Sequence, residues 1–319
     1  MKNLFLKIII LLLFASFYSC ADKPAKTVNK TKIENRQAEN KMISLLDKGF
    51  FKAKFVPTGD KLIVSSENDK RLAVYDFKND VVEHLTSKQG AGMYPKITPD
   101  GKYVAYQTHE FKNRRRLTSL FLQDITEKII VPVVTDKRDI KLLSVDNSNV
   151  YYLEGDVVKA FDISGKKTKT NPKNITIAFT DNNLNLSLYS GGKKSNINPQ
   201  GEGNYIWVSL SPDKKRILYN YPKKGAIIAD LTGKTMKELG KLDAAQWSND
   251  GKWIIGMEDY DDGHKYTKSD ILMVSPDGKI KKNLTENSDL IALYPNLSND
   301  GKKVVYNTEE GRVYLMKIK

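Results

Sequence analysis

The chain has 319 residues, a formal net charge of +14, 28% charged residues, one cysteine and three histidines. A single cysteine excludes an intramolecular disulfide framework and any zinc site built from several thiolates. The positive balance favours anionic partners such as lipopolysaccharide, phospholipid headgroups or an acidic protein, although charge of this density also serves simply to solvate many strand faces.

The N-terminus reads as an export signal. Lys2 and Lys7 precede an apolar run over residues 8–18, the charged and apolar layout of a secretory leader. That run is too short for the roughly 20 residues a membrane-spanning helix needs. Phe17-Tyr18-Ser19-Cys20 follows and resembles the lipobox of bacterial lipoproteins, in which a small residue precedes a cysteine that is lipidated. The expected division is a signal peptide over 1–19, a lipidated Cys20 with a flexible tether over 20–40, and a folded domain over 41–319. Residues 21–40 are polar and bury too little to offset the entropy of ordering.

Internal repeats decide the fold of the remainder. Residues 94–106, 207–219, 244–256 and 294–306 share one pattern, centred on Asp100, Asp213, Asp250 and Asp300. A fifth copy over 54–64 places Thr58 at the Asp position, and a degenerate sixth over 142–152 has Asp146 there. Thr98-Pro99-Asp100-Gly101 shows the logic: Pro99 pre-sets its own φ, Asp100 turns the chain, and Gly101 accepts the left-handed position that closes a hairpin. Lys214 replaces the glycine in one copy, which strains that turn. Each hairpin leads into a third and usually a fourth strand, for example 71–76 then 81–86, or 270–274 then 280–285. Four antiparallel strands per 40 to 45 residues is the signature of a propeller blade.

The spacing predicts an all-β chain folded as a single β-propeller. Between Asp146 and Asp213 the interval widens to 67 residues, and a possible extra hairpin over 175–190 leaves a seventh blade open. Six blades are favoured, because 67 residues are too few for two sets of four strands. The last repeat ends after its third strand, so residues 42–46 are expected to supply the fourth and close the ring.

The blade turns resemble those of TolB-like, WD-repeat-like propellers, which carry a Ser-Pro-Asp-Gly-Lys turn. The resemblance spans nearly all of residues 41–319 and implies an envelope protein or lipoprotein as partner, as in the Tol–Pal system. TolB itself carries an α/β domain ahead of its propeller, where this sequence has only the segment 20–40.

No Gly-x-Ser-x-Gly elbow, phosphate-binding glycine loop or cysteine cluster appears, so neither a catalytic residue, a metal nor a cofactor is expected. Three features stand out as binding candidates. Glu258, Asp259, Asp261, Asp262 and His264 form an acidic loop that also reads as an ordinary hairpin. Arg114, Arg115 and Arg116, close to His109, can hold carboxylate or phosphate bidentately, or be a solvated charge run. Tyr94, Trp207 and Tyr294 share the position six residues before the turn, where the innermost strand starts beside the channel. Rigid amphipathic rings anchor ligands well, and blade packing explains them about equally well. With six blades the arginine and acidic loops fall on opposite sides of the channel mouth, a positive and a negative wall.

The leading expectation is therefore a monomeric, membrane-tethered binding platform in the cell envelope, on the periplasmic side or at the outer membrane, that is not an enzyme and does not bind nucleic acid. A glycan- or solute-binding lipoprotein is the alternative, with a propeller lyase or hydrolase behind it.

Overall fold

The computed structural model describes residues 32–33 and 43–318. The predicted signal peptide, Cys20 and most of the tether lie outside the described residues. Among those described, the only helical turn is the 3-10 segment Glu67–Asp69, and strands make up seven sheets.

In chain order the innermost strands of the seven blades are Phe50–Phe55, Lys96–Ile97, Ile140–Val145, Thr176–Thr180, Ile206–Leu210, Asp243–Trp247 and Leu293–Leu297. The expected single propeller is present, but its ring has seven blades rather than the favoured six. The wide interval holds the additional blade, built from Thr176–Thr180, Leu186–Ser190 and Lys193–Asn196. It escaped the strand count because it has three strands instead of four. Its turn, closed by Asp181 and by Leu184 at φ 60°, also lacks the Asp-Gly-Lys signature.

Each interface between neighbouring blades holds one cluster of buried apolar side chains, seven in all among the described residues. Between blades 1 and 2, for instance, Val56, Ile63 and Leu72 pack on Val104 and Tyr106. This layout explains why second and third strands are apolar on both faces, as in Lys61–Ser66 and Leu72–Asp76: each blade is sandwiched. Each such side chain contributes about 2 kcal/mol by leaving water. Outer strands meet solvent, and Thr168–Thr170 is exposed throughout.

The repeated turns use one hydrogen-bond device. Thr98 Oγ1 donates to Asp100 Oδ1 at 2.5 Å, the Lys102 amide donates to the same carboxylate at 3.0 Å, and the Tyr103 amide donates to Thr98 Oγ1 at 3.0 Å. Gly101 takes φ +74° while its amide reaches the Thr98 carbonyl at 2.8 Å. Ser211, Ser248 and Ser298 repeat the arrangement with Asp213, Asp250 and Asp300. Lys214 adopts the glycine's left-handed conformation at φ 57°. Ser275 and Asp277 form a copy that the repeat alignment did not include, between the third and fourth strands of blade 6.

Ring closure follows the expected route. Ile43–Leu46 pairs antiparallel with Val313–Lys317, with Ile43 opposite Leu315, and becomes the fourth strand of blade 7. Lys32–Ile33 lies parallel to the outermost strand of blade 6.

Candidate functional site

Innermost strands carry a shared irregularity that builds the channel mouth. Lys52, Tyr94, Trp207, Ala244 and Tyr294 occupy the same repeat position, and all five have φ between 49° and 52°. Register shifts fall at four of these strands. A bulge re-aims side chains, and here all five residues face one central cavity of about 480 Å³. Left-handed backbone is uncommon for aromatic residues, so the strain is retained where the side chain lines a cavity of ligand size. The Lys52 amide is compensated by Asn307 Oδ1 at 3.0 Å.

All seven blades contribute to the lining, and its two sides differ in chemistry. Blades 1, 2 and 3 supply Lys54, Lys96 and Lys141, while blades 5, 6 and 7 supply Ser209, Gln246 and Asn296. Asn296 Nδ2 donates to Gln246 Oε1 at 2.8 Å, and Gln246 Nε2 donates to the Pro295 carbonyl. Ser209 Oγ is buried with no hydrogen-bond partner. Leu184, Ile206 and Trp207 add an apolar shelf from blades 4 and 5.

The lysines differ in how they are held. Lys52 Nζ is paired with Asp69 at 2.9 Å and lies 5.8 Å from the Tyr94 ring centre and 5.7 Å from that of Tyr294. Lys141 Nζ donates to the Thr180 carbonyl and, at 3.5 Å, to that of Asp181. No carboxylate among the described residues lies within ion-pair range of Lys54 or Lys96. Burial pushes the Lys96 ammonium down, and burial, then Lys96 and Lys52, push Lys54 from 10.5 to about 7. Lys54 is nevertheless only half-buried by surface, because it sits deep among protein atoms while bordering the open cavity. In Lys141, burial lowers proton affinity against the opposing charge of Asp181. Clustered cations with few counter-ions in a concave, half-dry setting form a site for an anion.

Of the residues singled out from sequence, Tyr94, Trp207 and Tyr294 line this cavity. The others lie outside its lining. Arg115 and Arg116 begin a long strand, Arg115–Asp124, and Arg114 sits in the preceding turn at φ 62°, exposed. His109 Nδ1 lies 3.1 Å from Thr118 Oγ1, and the ring packs against Gly90. Asp261 and Asp262 cap their own hairpin, accepting amides of Gly263, His264 and Lys265; His264 is exposed. Glu258 pairs with Lys281 at 3.3 Å. Asp259 is buried beside Asp243, and burial followed by the Asp259 charge raises Asp243 to about 6.

With seven blades, the arginine hairpin on blade 2 and the acidic hairpin on blade 6 are separated by three blade steps one way and four the other. The diametric opposition expected of a six-bladed ring is therefore corrected.

Sequence reasoning missed Lys54, Lys96 and Lys141. A signal was present: Lys54 and Lys96 both stand four residues before the turn position, two after the rim residue and so on the same face of the strand. Lysines are numerous in this sequence, which hid the register. Lys141 stands just ahead of the degenerate repeat over 142–152 and offered no such cue.

No family model matches the chain, and no curated protein does. Solved structures do. An oligogalacturonate lyase from Vibrio parahaemolyticus superposes with a TM-score of 0.60 at 13% identity, covering 88% of this chain and 95% of its own. An oligogalacturonate lyase in complex with manganese gives 0.59 at 14% identity, covering 87% and 93%. At this identity the likeness shows the propeller fold. It also overturns the expectation that the chain is not an enzyme, since lyases are built on this ring. That expectation leaned on missing hydrolase and metal motifs, and elimination chemistry needs neither a serine elbow nor a cysteine cluster. A manganese ion such as the second structure holds would find no carboxylate, imidazole or thiolate lining this cavity. The cavity offers ammonium, amide and hydroxyl groups, and among the described residues no three His, Cys, Asp or Glu side chains gather as ligands. A divalent cation would face the repulsion of the lysine arc.

Proposed function

We propose that the protein binds acidic oligosaccharides, chains of uronate residues, at the mouth of its channel and acts on them. The observation that carries this reading is the lysine arc of blades 1 to 3 facing an uncharged polar arc of blades 5 to 7 beneath an aromatic rim. A uronate presents one carboxylate, several hydroxyls and an apolar ring face. Lys96 and Lys141 suit the carboxylate, Ser209, Gln246 and Asn296 suit hydroxyls, and Trp207, Tyr94 and Tyr294 suit the ring.

The substrate named for the two solved propellers is of this class, which supports the choice of a uronate over other anions. The leader and the lipobox-like Phe17-Tyr18-Ser19-Cys20 support a place in the cell envelope, anchored through lipid on Cys20, where such saccharides are met before uptake. The TolB-like turns lie at the far end of the innermost strands from the rim, so that resemblance bears on the scaffold.

Titration calorimetry with trigalacturonate tests the reading, with neutral maltotriose as control. Binding of the acidic trimer alone is expected, weakened at least about tenfold by Lys96→Glu, since burying a like charge opposite a carboxylate costs more than ~1.4 kcal/mol. Equal binding of the two sugars, or an unaffected Lys96→Glu variant, refutes it.

A further inference from the structure

We infer that Lys54 is the proton-abstracting base of this site, acting on a uronate whose carboxylate is held by Lys96 and Lys141. This rests on the acidic-saccharide reading and adds the reaction and the residue that performs it.

The assignment comes from comparing the four channel lysines. Lys52 is committed to Asp69 at 2.9 Å, and Lys141 to the carbonyls of blade 4. In both, the nitrogen is engaged as a donor to a fixed acceptor rather than presented to a substrate proton. Lys54 has no carboxylate or carbonyl partner, and it stands between cations, with Lys52 two residues away on its own strand and Lys96 at the matching position of blade 2. Facing groups from other blades are the phenols of Tyr94 and Tyr294, the Lys141 ammonium and the neutral amides of Gln246 and Asn296. Lys96 also lacks an anion, but burial alone acts on it, whereas Lys54 is pushed further by the two neighbouring cations and so loses its proton before Lys96. Its proton affinity, pushed down to about 7 by burial, Lys96 and Lys52, is close to the value at which a general base works best at neutral pH.

The chemistry that a free amine beside a fixed carboxylate can perform is β-elimination. In a 4-linked uronate, the hydrogen on carbon 5 lies next to the carboxylate and is the acidic one. Lys96 and Lys141 stabilise the negative charge that spreads onto the carboxylate as this proton leaves. The Lys54 lone pair takes the proton, the C–H electrons become the C4–C5 double bond, and the C4–O bond breaks with its electrons on the departing oxygen. That oxygen takes a proton from water, and the Lys54 ammonium returns one to solvent. No oxidant, reductant or metal enters the balance, and the products are a shortened chain and an unsaturated uronate.

The test uses the purified chain with trigalacturonate, following the ultraviolet absorbance of the unsaturated product, with calorimetry in parallel. Wild type should form product, with kcat rising through about pH 7 and then levelling. Lys54→Met should lose about 100-fold or more in kcat while KM changes by about threefold or less, the range typical of a missing general base. Lys54→Arg restores the charge without a titratable amine and should be as inactive. Circular dichroism confirms that each variant is folded. A Lys54→Met variant with kcat within about threefold of wild type, or an unchanged pH limb, overturns the assignment. Wild type that binds trigalacturonate but forms no unsaturated product at any pH also overturns it, leaving the binding reading intact. Wild type that does not bind removes both.

Discussion

Replacing Lys54 by Met should make the folded protein more stable, and by an amount that depends on pH. In the unfolded chain the ammonium keeps its proton up to 10.5, whereas in the channel it gives it up near 7. The folded state therefore carries a penalty for the charged amine that is complete below about pH 7 and disappears as pH rises to 10.5. Each tenfold change in proton affinity is about 1.4 kcal/mol, so the full shift corresponds to ~5 kcal/mol. Lys54 is half-buried toward the open cavity, and solvent screening reduces the measurable part to ~2 kcal/mol. At about 2 °C per kcal/mol for a chain of this size, Lys54→Met should melt ~4 °C above wild type at about pH 6. The difference should shrink steadily toward about pH 10. Melting followed by far-ultraviolet circular dichroism at four or so pH values measures it. A variant that melts at or below wild type at pH 6, or a gap that does not narrow with pH, would falsify the claim that this ammonium is held without compensation.

The carboxylate pair should respond in the opposite direction. Folded Asp243 holds its proton up to about 6, above the ordinary 3.8, so the pair's repulsion is absent below about pH 4 and complete above pH 6. Asp243→Asn should therefore raise the unfolding midpoint in denaturant above pH 6 by the equivalent of about 1 to 2 kcal/mol, and an equal gain at pH 4 would contradict the repulsion. Deleting Ile43–Leu46 removes the fourth strand of blade 7 and exposes the edge of Val313–Lys317. The melting temperature should fall by roughly 10 °C or more, and an unchanged value would show that the ring does not depend on that strand. Cys20→Ala should move the protein from the membrane to the soluble envelope fraction, because each buried CH₂ of a lipid chain holds it with roughly 0.8 kcal/mol. A variant that still sediments with membranes after a high-salt wash would refute the anchor.

The propeller was legible because its turns are chemical: Asp100, Asp213, Asp250 and Asp300 each need a hydroxyl two residues before and a tolerant residue after. The blade count was not, because Thr176–Thr180 and its partner strands close with Asp181 and Leu184 and use three strands. Rim aromatics were visible as a shared repeat position, and the bulge that aims them was not, since positive φ at Tyr or Trp has no sequence marker. The lysine arc was only partly legible: Lys54 and Lys96 share a repeat position, but a lysine matters here only by lying where few anions do, and that is a property of the assembled ring. The arginine and acidic hairpins drew attention through local charge density, which is what solvated hairpin tips commonly have.

The left-handed residue at the start of five innermost strands has an evolutionary consequence. Glycine would occupy φ near 50° with the least strain, yet these strands carry Lys52, Tyr94, Trp207, Ala244 and Tyr294. Because the backbone there is set by the bulge and by hydrogen bonds such as that of the Lys52 amide to Asn307, the rings of Tyr94 and Trp207, which join none of the seven interface clusters, are free to vary, whereas Ala244 and Tyr294 also pack against the cluster between blades 6 and 7. The rim sets five different side chains, each on a separate blade, around the same volume. If the proposed saccharide reading holds, descendants of such a ring can retune their preference one substitution at a time, and a combinatorial library confined to the codons of Lys52, Tyr94 and Trp207 would sample specificity with little loss of folded protein.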